Sequence, residues 1–207
     1  YLFLIRLAHL MGNKVIMLSQ GIGPLLNEKS RRATSKTLNL VDYITVRDKQ
    51  SKDFLEQLGI QENKIFLSAD PVINFNSEEK TIEKSDNNKK VCFSIRNWKN
   101  ANVSDKISNI ACKLIENNIE CHFIPFYYNE DLELVAQIEK KVGDKAVFYK
   151  NRLSTNEAYD IIKDMNLLVG VRLHSLIFAA AADVPFVAIS YDHKVDHFVE
   201  SVNMNVA

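Results

Sequence analysis

Arg172 and His174 stand two residues apart inside the stretch Leu167 to Ser190, LLVGVRLHSLIFAAAADVPFVAIS. A guanidinium fork matches a phosphate or carboxylate, and an imidazole exchanges a proton near neutral pH. The pair suggests a site for a phosphorylated or carboxylated substrate. Arg47, followed by Asp48, leaves the apolar segment Tyr43–Val46 as Arg172 leaves Leu167–Val171. The plainer reading of Arg47 is an ion pair with Asp48 that ties the loop. Asp70 precedes Pro71 and is therefore extended, either holding its carboxylate beside a cleft or closing a turn. Gly21 and Gly23, in SQGIGP (Ser19–Pro24), allow close backbone approach to a ligand or serve a tight strand-to-helix turn. The third glycine of a dinucleotide fingerprint is absent. Arg96, after Val91–Ile95, is a further candidate for substrate contact.

Other polar residues carry less chemistry. His193 and His197 lie four apart on one helical face, but their flanks are charged and the zinc-protease glutamate is absent. No metal is expected. His9 and His122 sit alone in apolar segments and read as satisfied structural histidines. Cys92, Cys112 and Cys121 are an odd number, widely spaced among apolar neighbours. They read as reduced core thiols of a cytoplasmic protein.

The elements that must position these residues alternate. Helices are expected over Tyr1–Met11, Asn27–Leu40, Ser51–Leu58, Asp105–Asn117, Asp131–Val142, Asn156–Asp164 and Ser175–Ala182, with a last one opened by Tyr191–His197. Between them lie short apolar strands at Val15–Leu18, Tyr43–Val46, Ile65–Leu67, Val91–Ile95, Glu120–Pro125, Ala146–Tyr149, Leu167–Val171 and Phe186–Ser190. Near-continuous apolar strands separated by helices imply parallel sheets buried on both faces, with ligands off the carboxyl ends of the strands. The polar run NSEEKTIEKSDNNKK at 76–90 reads as a linker between two doubly wound α/β domains, 1–75 and 91–207. The chain opens at Tyr1 within a helical pattern and stops at Ala207, so the first domain is expected to be its C-terminal part only, and the last elements of the second to be missing.

Composition removes several classes. Lys plus Arg number 26 and Asp plus Glu 26, a balance that argues against nucleic-acid binding. No apolar run reaches the ~18 residues of a membrane span.

Taken in order, SQGIGPL (Ser19–Leu25), VDYITVRDKQS (Val41–Ser51), ADPV (Ala69–Val72) and GVRLHSLIFAAAADVPFVAISYDHK (Gly170–Lys194) resemble the polysaccharide pyruvyl transferase family. The resemblance implies two Rossmann-like domains in a glycosyltransferase-B-like fold. It implies transfer of the enolpyruvyl unit of phosphoenolpyruvate onto two hydroxyls of one sugar, forming a cyclic ketal and releasing phosphate, with no cofactor. The acceptor would be a sugar or lipid-linked oligosaccharide of a cell-surface polysaccharide, with peripheral membrane association through that acceptor. Arg47 and Arg172 would then clamp the donor from the two sides of the cleft, and His174 would protonate its methylene. Arg96, Asp70, Gly21 and Gly23 would contact substrate. Asp70 or Asp192 would take a sugar hydroxyl proton, unless these carboxylates are structural. The rival on the same fold is a nucleotide-sugar glycosyltransferase. Its retaining members commonly place a glutamate where this chain has Phe178, seven residues before Pro185. A catalytically silent sugar-binding protein is the other rival, and joint retention of Arg47, Arg172 and His174 speaks against it.

Overall fold

Two parallel sheets carry the candidate residues. They belong to a computed structural model that describes residues 1–75, 89–98 and 102–204. The expected linker lies outside the described residues up to residue 88. The chain divides into two compact units. The first holds Tyr1–Pro71 and Glu200–Asn203; the second holds the described residues from Val72 to Val199 and Met204.

In the first unit, helix α1 (Leu2–Leu10) leads to strand β1 (Ile16–Gln20), α2 (Glu28–Leu38), β2 (Tyr43–Val46), α3 (Lys49–Gln57) and β3 (Ile65–Leu67). The strands run parallel in the order β1-β2-β3. Local chemistry sets the helix starts. Asn27 accepts from the Lys29 N–H, and the Asp48 carboxylate accepts from the Ser51 N–H at 2.7 Å, each satisfying a donor that the first turn leaves open. Leu38, Val41, Ile44, Val46, Leu55 and Ile65 form the core, with Met17 packed against it.

Burial on both faces, expected from the apolar strands, is not found in this sheet. Strand β1 alternates exposed and half-buried residues; Ile16 is 56% and Leu18 65% exposed. Tyr43 and Phe66 are exposed too, while Ile44 and Ile65 point into the core. Among the described residues, helices cover one face only. Helix α1 buries none of its residues, and His9 on it is exposed rather than a satisfied core histidine.

The second unit runs β4 (Lys90–Ser94), α4 (Val103–Glu116), β5 (Glu120–Phe123), α5 (Tyr128–Val142), β6 (Val147–Phe148), α6 (Thr155–Lys163), β7 (Leu167–Gly170), α7 (Leu173–Ala181), β8 (Phe186–Ala188) and α8 (His193–Ser201). Its five parallel strands take the order β6-β5-β4-β7-β8. The chain therefore leaves β4 towards one edge and returns through β7 to build the other. The place where the order reverses, between the carboxyl ends of β4 and β7, is where such sheets bind ligands. Phe93, Phe123 and Phe148 stack across β4, β5 and β6 at 5.0 and 4.9 Å. Phe93 and Phe123 are fully buried, a burial that contributes about 2–3 kcal/mol for each ring. Tyr159 and Phe178 meet edge-to-face at 5.7 Å, and Phe75 stacks on Phe178.

Smaller corrections concern starts and burial. Helix α7 begins at Leu173, not Ser175, because Arg172 is its extended N-cap. His174 thereby lies in the first helical turn. Helix α5 begins at Tyr128, not Asp131. Cys92 and Cys121 are buried and Cys112 is half-buried. Burial pushes the Cys92 thiol up to about 12 and Cys121 to about 11, which leaves both unreactive. His122 is satisfied, between the Tyr149 hydroxyl at 3.1 Å and the Glu120 carboxylate at 2.7 Å. No helix among the described residues is long and apolar enough to cross a membrane.

Candidate functional site

In the first unit the candidate residues gather around Arg47. Its backbone N–H donates to the Gln20 carbonyl at 3.3 Å, tying the end of β2 to the end of β1. The side chain donates through Nη1 to Asp70 Oδ2 at 2.7 Å, while Asp48 lies 3.8 Å from Nε. The plain ion pair with Asp48 is thus the longer contact. Asp70 is the principal partner, 23 residues away, and Asp48 chiefly caps α3. Gly21 lets the guanidinium approach, since a Cβ there would lie 2.9 Å from Nε and Nη2. Gly23 has φ +97° and faces the Phe54 ring, which a Cβ would meet at 2.8 Å. Between them, the Ile22 N–H donates to Ser51 Oγ at 2.8 Å. The SQGIGP turn is therefore moulded around Arg47 and the start of α3.

In the second unit Arg96 and Arg172 leave β4 and β7 on either side of the reversal point. Arg172 donates through Nε and Nη2 to the two oxygens of Asp131, at 3.1 and 2.5 Å. Nη2 also donates to Glu130 Oε2 at 2.9 Å. Asp131 is fully buried and accepts in addition from the Tyr127 N–H at 2.8 Å. The guanidinium lies over the Tyr127 ring, 5.3 Å from its centre. Burial works against the Arg172 charge, but Asp131 and Glu130 more than offset it and raise the group's pKa further. The same contact holds the Glu130 carboxyl below its ordinary value. A bidentate Arg–carboxylate pair of this kind fixes one edge of the fork. Nη1, on the other edge, donates to none of the described residues.

His174 is exposed, and its ring makes no hydrogen bond to the described residues. Arg96 donates to the Tyr191 hydroxyl at 3.1 Å, lies over the Tyr191 ring at 4.8 Å, and has Glu130 at 3.9 Å. Glu130 thus stands between the two arginines. Asp192 Oδ1 accepts from the Lys194 N–H at 3.0 Å, a structural role at the start of α8. His193 and His197 do face one another, 6.3 Å apart, but no group of three metal-ligating residues exists among the described residues.

Sequence reasoning missed Asp131, Glu130, Tyr127 and Tyr191. Acidic residues near a helix start read there as complements to the helix dipole. Nothing local announces that Asp131 reaches a guanidinium 41 residues on.

The family model for polysaccharide pyruvyl transferases matches residues 1–193, a span that includes Arg47, Arg96, Asp131, Arg172 and His174. The chain belongs to the polysaccharide pyruvyl transferase family. It is 24% identical over 211 residues to the amylovoran biosynthesis protein AmsJ of Erwinia amylovora, covering 87% of this chain and 50% of AmsJ. The chain thus spans about half the length of that curated relative. Among solved structures it resembles S. aureus MnaA, determined with UDP, at TM-score 0.69 and 12% identity over 98% of this chain and 58% of that one. It also resembles the UDP-GlcNAc 2-epimerase of Methanocaldococcus jannaschii, at TM-score 0.64 and 14% identity, over 98% of this chain and 66% of that one. These likenesses show the fold: α/β, Rossmann-like and glycosyltransferase-B-like.

Proposed function

We propose that this protein forms a pyruvate ketal on a sugar of a cell-surface polysaccharide precursor, with phosphoenolpyruvate as donor. The observation that carries the reading is the second unit's cation. Arg172 is locked by buried Asp131 and by Glu130 while its Nη1 donates to none of the described residues, and an exposed imidazole follows two residues later. A fork held in this way binds a carboxylate or phosphate without first losing its own freedom. Arg172 orients the donor, with Arg96 beside it as a second cation. Arg47, held by Asp70 in the first unit, is a further substrate-binding cation.

The chemistry follows from the donor. Protonation of the methylene makes the adjoining carbon electrophilic, and His174 is the acid that supplies this proton. A sugar hydroxyl then attacks that carbon and loses its own proton. The bond from that carbon to the phosphate oxygen breaks, and a second hydroxyl of the same sugar closes the ketal, its proton passing to the departing phosphate. General acid catalysis of this kind contributes typically 10²–10⁴-fold. His174→Ala should therefore lower the rate of phosphate release by about 10²-fold or more, with donor affinity largely unchanged. Unchanged turnover in that variant would remove the acid role.

The second reading is a nucleotide-sugar enzyme, favoured by the solved structures of S. aureus MnaA with UDP and Anabaena HepE with UDP-glucose. Turnover of UDP-glucose with none of phosphoenolpyruvate would decide for it.

A further inference from the structure

A cavity of about 300 Å³ opens beside the Arg172 cluster, within the second unit, off the carboxyl ends of β5 and β6. Its volume is at the lower end of small-molecule sites. Phe126, Tyr127, Tyr128 and Phe178 contribute aromatic wall. Arg152 is the one cation among the lining residues, and none of them is a carboxylate. That composition differs from the Arg172 cluster, where Asp131 and Glu130 already neutralise much of the charge. Arg152 is exposed and has no ion pair or hydrogen bond with the described residues. Asn129 and Thr155 add uncharged polar side chains to the same lining, both exposed.

Aromatic faces in a concave site take flat or ring-shaped ligands, and an unpaired guanidinium takes a phosphate. We propose that this cavity is a second substrate subsite that binds a phosphorylated ring, the ring against Tyr127 and Tyr128 and the phosphate on Arg152. Phosphoenolpyruvate has no ring and gains nothing from these walls. Tyr127 joins the two places: its N–H donates to Asp131, which holds Arg172, and the residue is part of the cavity lining. A ligand seated here would lie next to the donor cation. A glycosyl phosphate, as the phosphorylated end of an acceptor, and a nucleotide share this chemistry. The proposal stands whether or not Arg172 and His174 handle phosphoenolpyruvate.

The experiment titrates the full chain separately with glucose 1-phosphate, UMP, glucose, uridine, inorganic phosphate and phosphoenolpyruvate, in wild type, Arg152→Ala and Ala158→Leu. Ala158 lines the cavity, and the leucine fills it without touching the charge. At least one of the two ring phosphates should bind at least tenfold more tightly than inorganic phosphate and than its own dephosphorylated partner. Arg152→Ala should cost that ligand about tenfold, the loss of a charge-assisted hydrogen bond. Ala158→Leu should cost it a similar factor, with an unchanged melting temperature showing that the variant is folded. Tighter glucose 1-phosphate would assign the subsite to a sugar acceptor, and tighter UMP to a nucleotide. Ring phosphates that bind no better than inorganic phosphate, or that ignore Arg152→Ala, would overturn the proposal. Phosphoenolpyruvate that fails to bind at all would sink the donor reading and leave the cavity standing.

Discussion

Arg47 and Arg172 both leave the carboxyl end of a parallel strand, and both are held by an aspartate, but the two are held differently. Arg47 makes one short bond to Asp70 and lies against a glycine, so its position depends on the absence of a side chain at Gly21. Arg172 is gripped by both oxygens of a fully buried carboxylate, by Glu130 and by an aromatic face. The sheets beneath them differ in the same sense. The first is covered on one face among the described residues, and the second carries a continuous stacked core. A cation on the well-packed sheet can be pre-set by its neighbours. One on the open sheet is placed by backbone shape. The contrast teaches that equivalent positions in two similar units reach a defined geometry by unlike means.

The largest expected effect separates the two aspartates. Asp131→Ala strands Arg172 beside an empty buried site and should lose about 3 kcal/mol or more in urea unfolding. Asp70→Ala removes the short bond to the charged Arg47 and should cost about 1.5–2 kcal/mol. Equal losses would erase the contrast. A middle-sized effect probes the glycine. Gly21→Ala places a Cβ against Nε and Nη2, and the flexible arginine will move aside. Donor affinity should fall roughly tenfold while the unfolding midpoint barely changes. Unchanged affinity would show that Arg47 does not touch the donor.

The smallest effect uses the buried histidine of the second unit. Burial lowers the His122 pKa below its ordinary 6.5, against the opposing pull of Glu120. As pH falls below 6.5, the unfolded chain takes up the proton first. The stability linked to His122 is thus full above that value and is lost as pH drops towards the folded pKa. His122→Gln should flatten this slope in unfolding measured between about pH 5 and 7.

Much of this architecture was legible in the sequence. Apolar runs such as Val91–Ile95 and Leu167–Val171 overlap strands β4 and β7, because a strand in a parallel sheet covered on both faces must be apolar to lie between helices. Helix starts went less well: α3, α4, α5 and α7 begin two or three residues earlier than expected. Arg172 donates no cap, so nothing announced that α7 already holds His174. The open face of the first sheet was illegible for a related reason. Ile16 and Leu18 read as buried on composition alone, and only packing shows that each is more than half exposed. In the site, Arg47, Arg96, Arg172 and His174 stood out by residue type and by their place after a strand. Their partners did not, since Asp131 and Tyr191 reach the arginines over 41 and 95 residues, beyond any local pattern.

The most direct measurement is calorimetric titration of the full chain with phosphoenolpyruvate, beside UDP-GlcNAc, in wild type, Arg172→Ala and Arg47→Ala. The account predicts that phosphoenolpyruvate binds the wild type and that each substitution weakens it at least tenfold, with Arg172→Ala the more damaging. Binding of UDP-GlcNAc alone, or phosphoenolpyruvate affinity indifferent to Arg172, would contradict it.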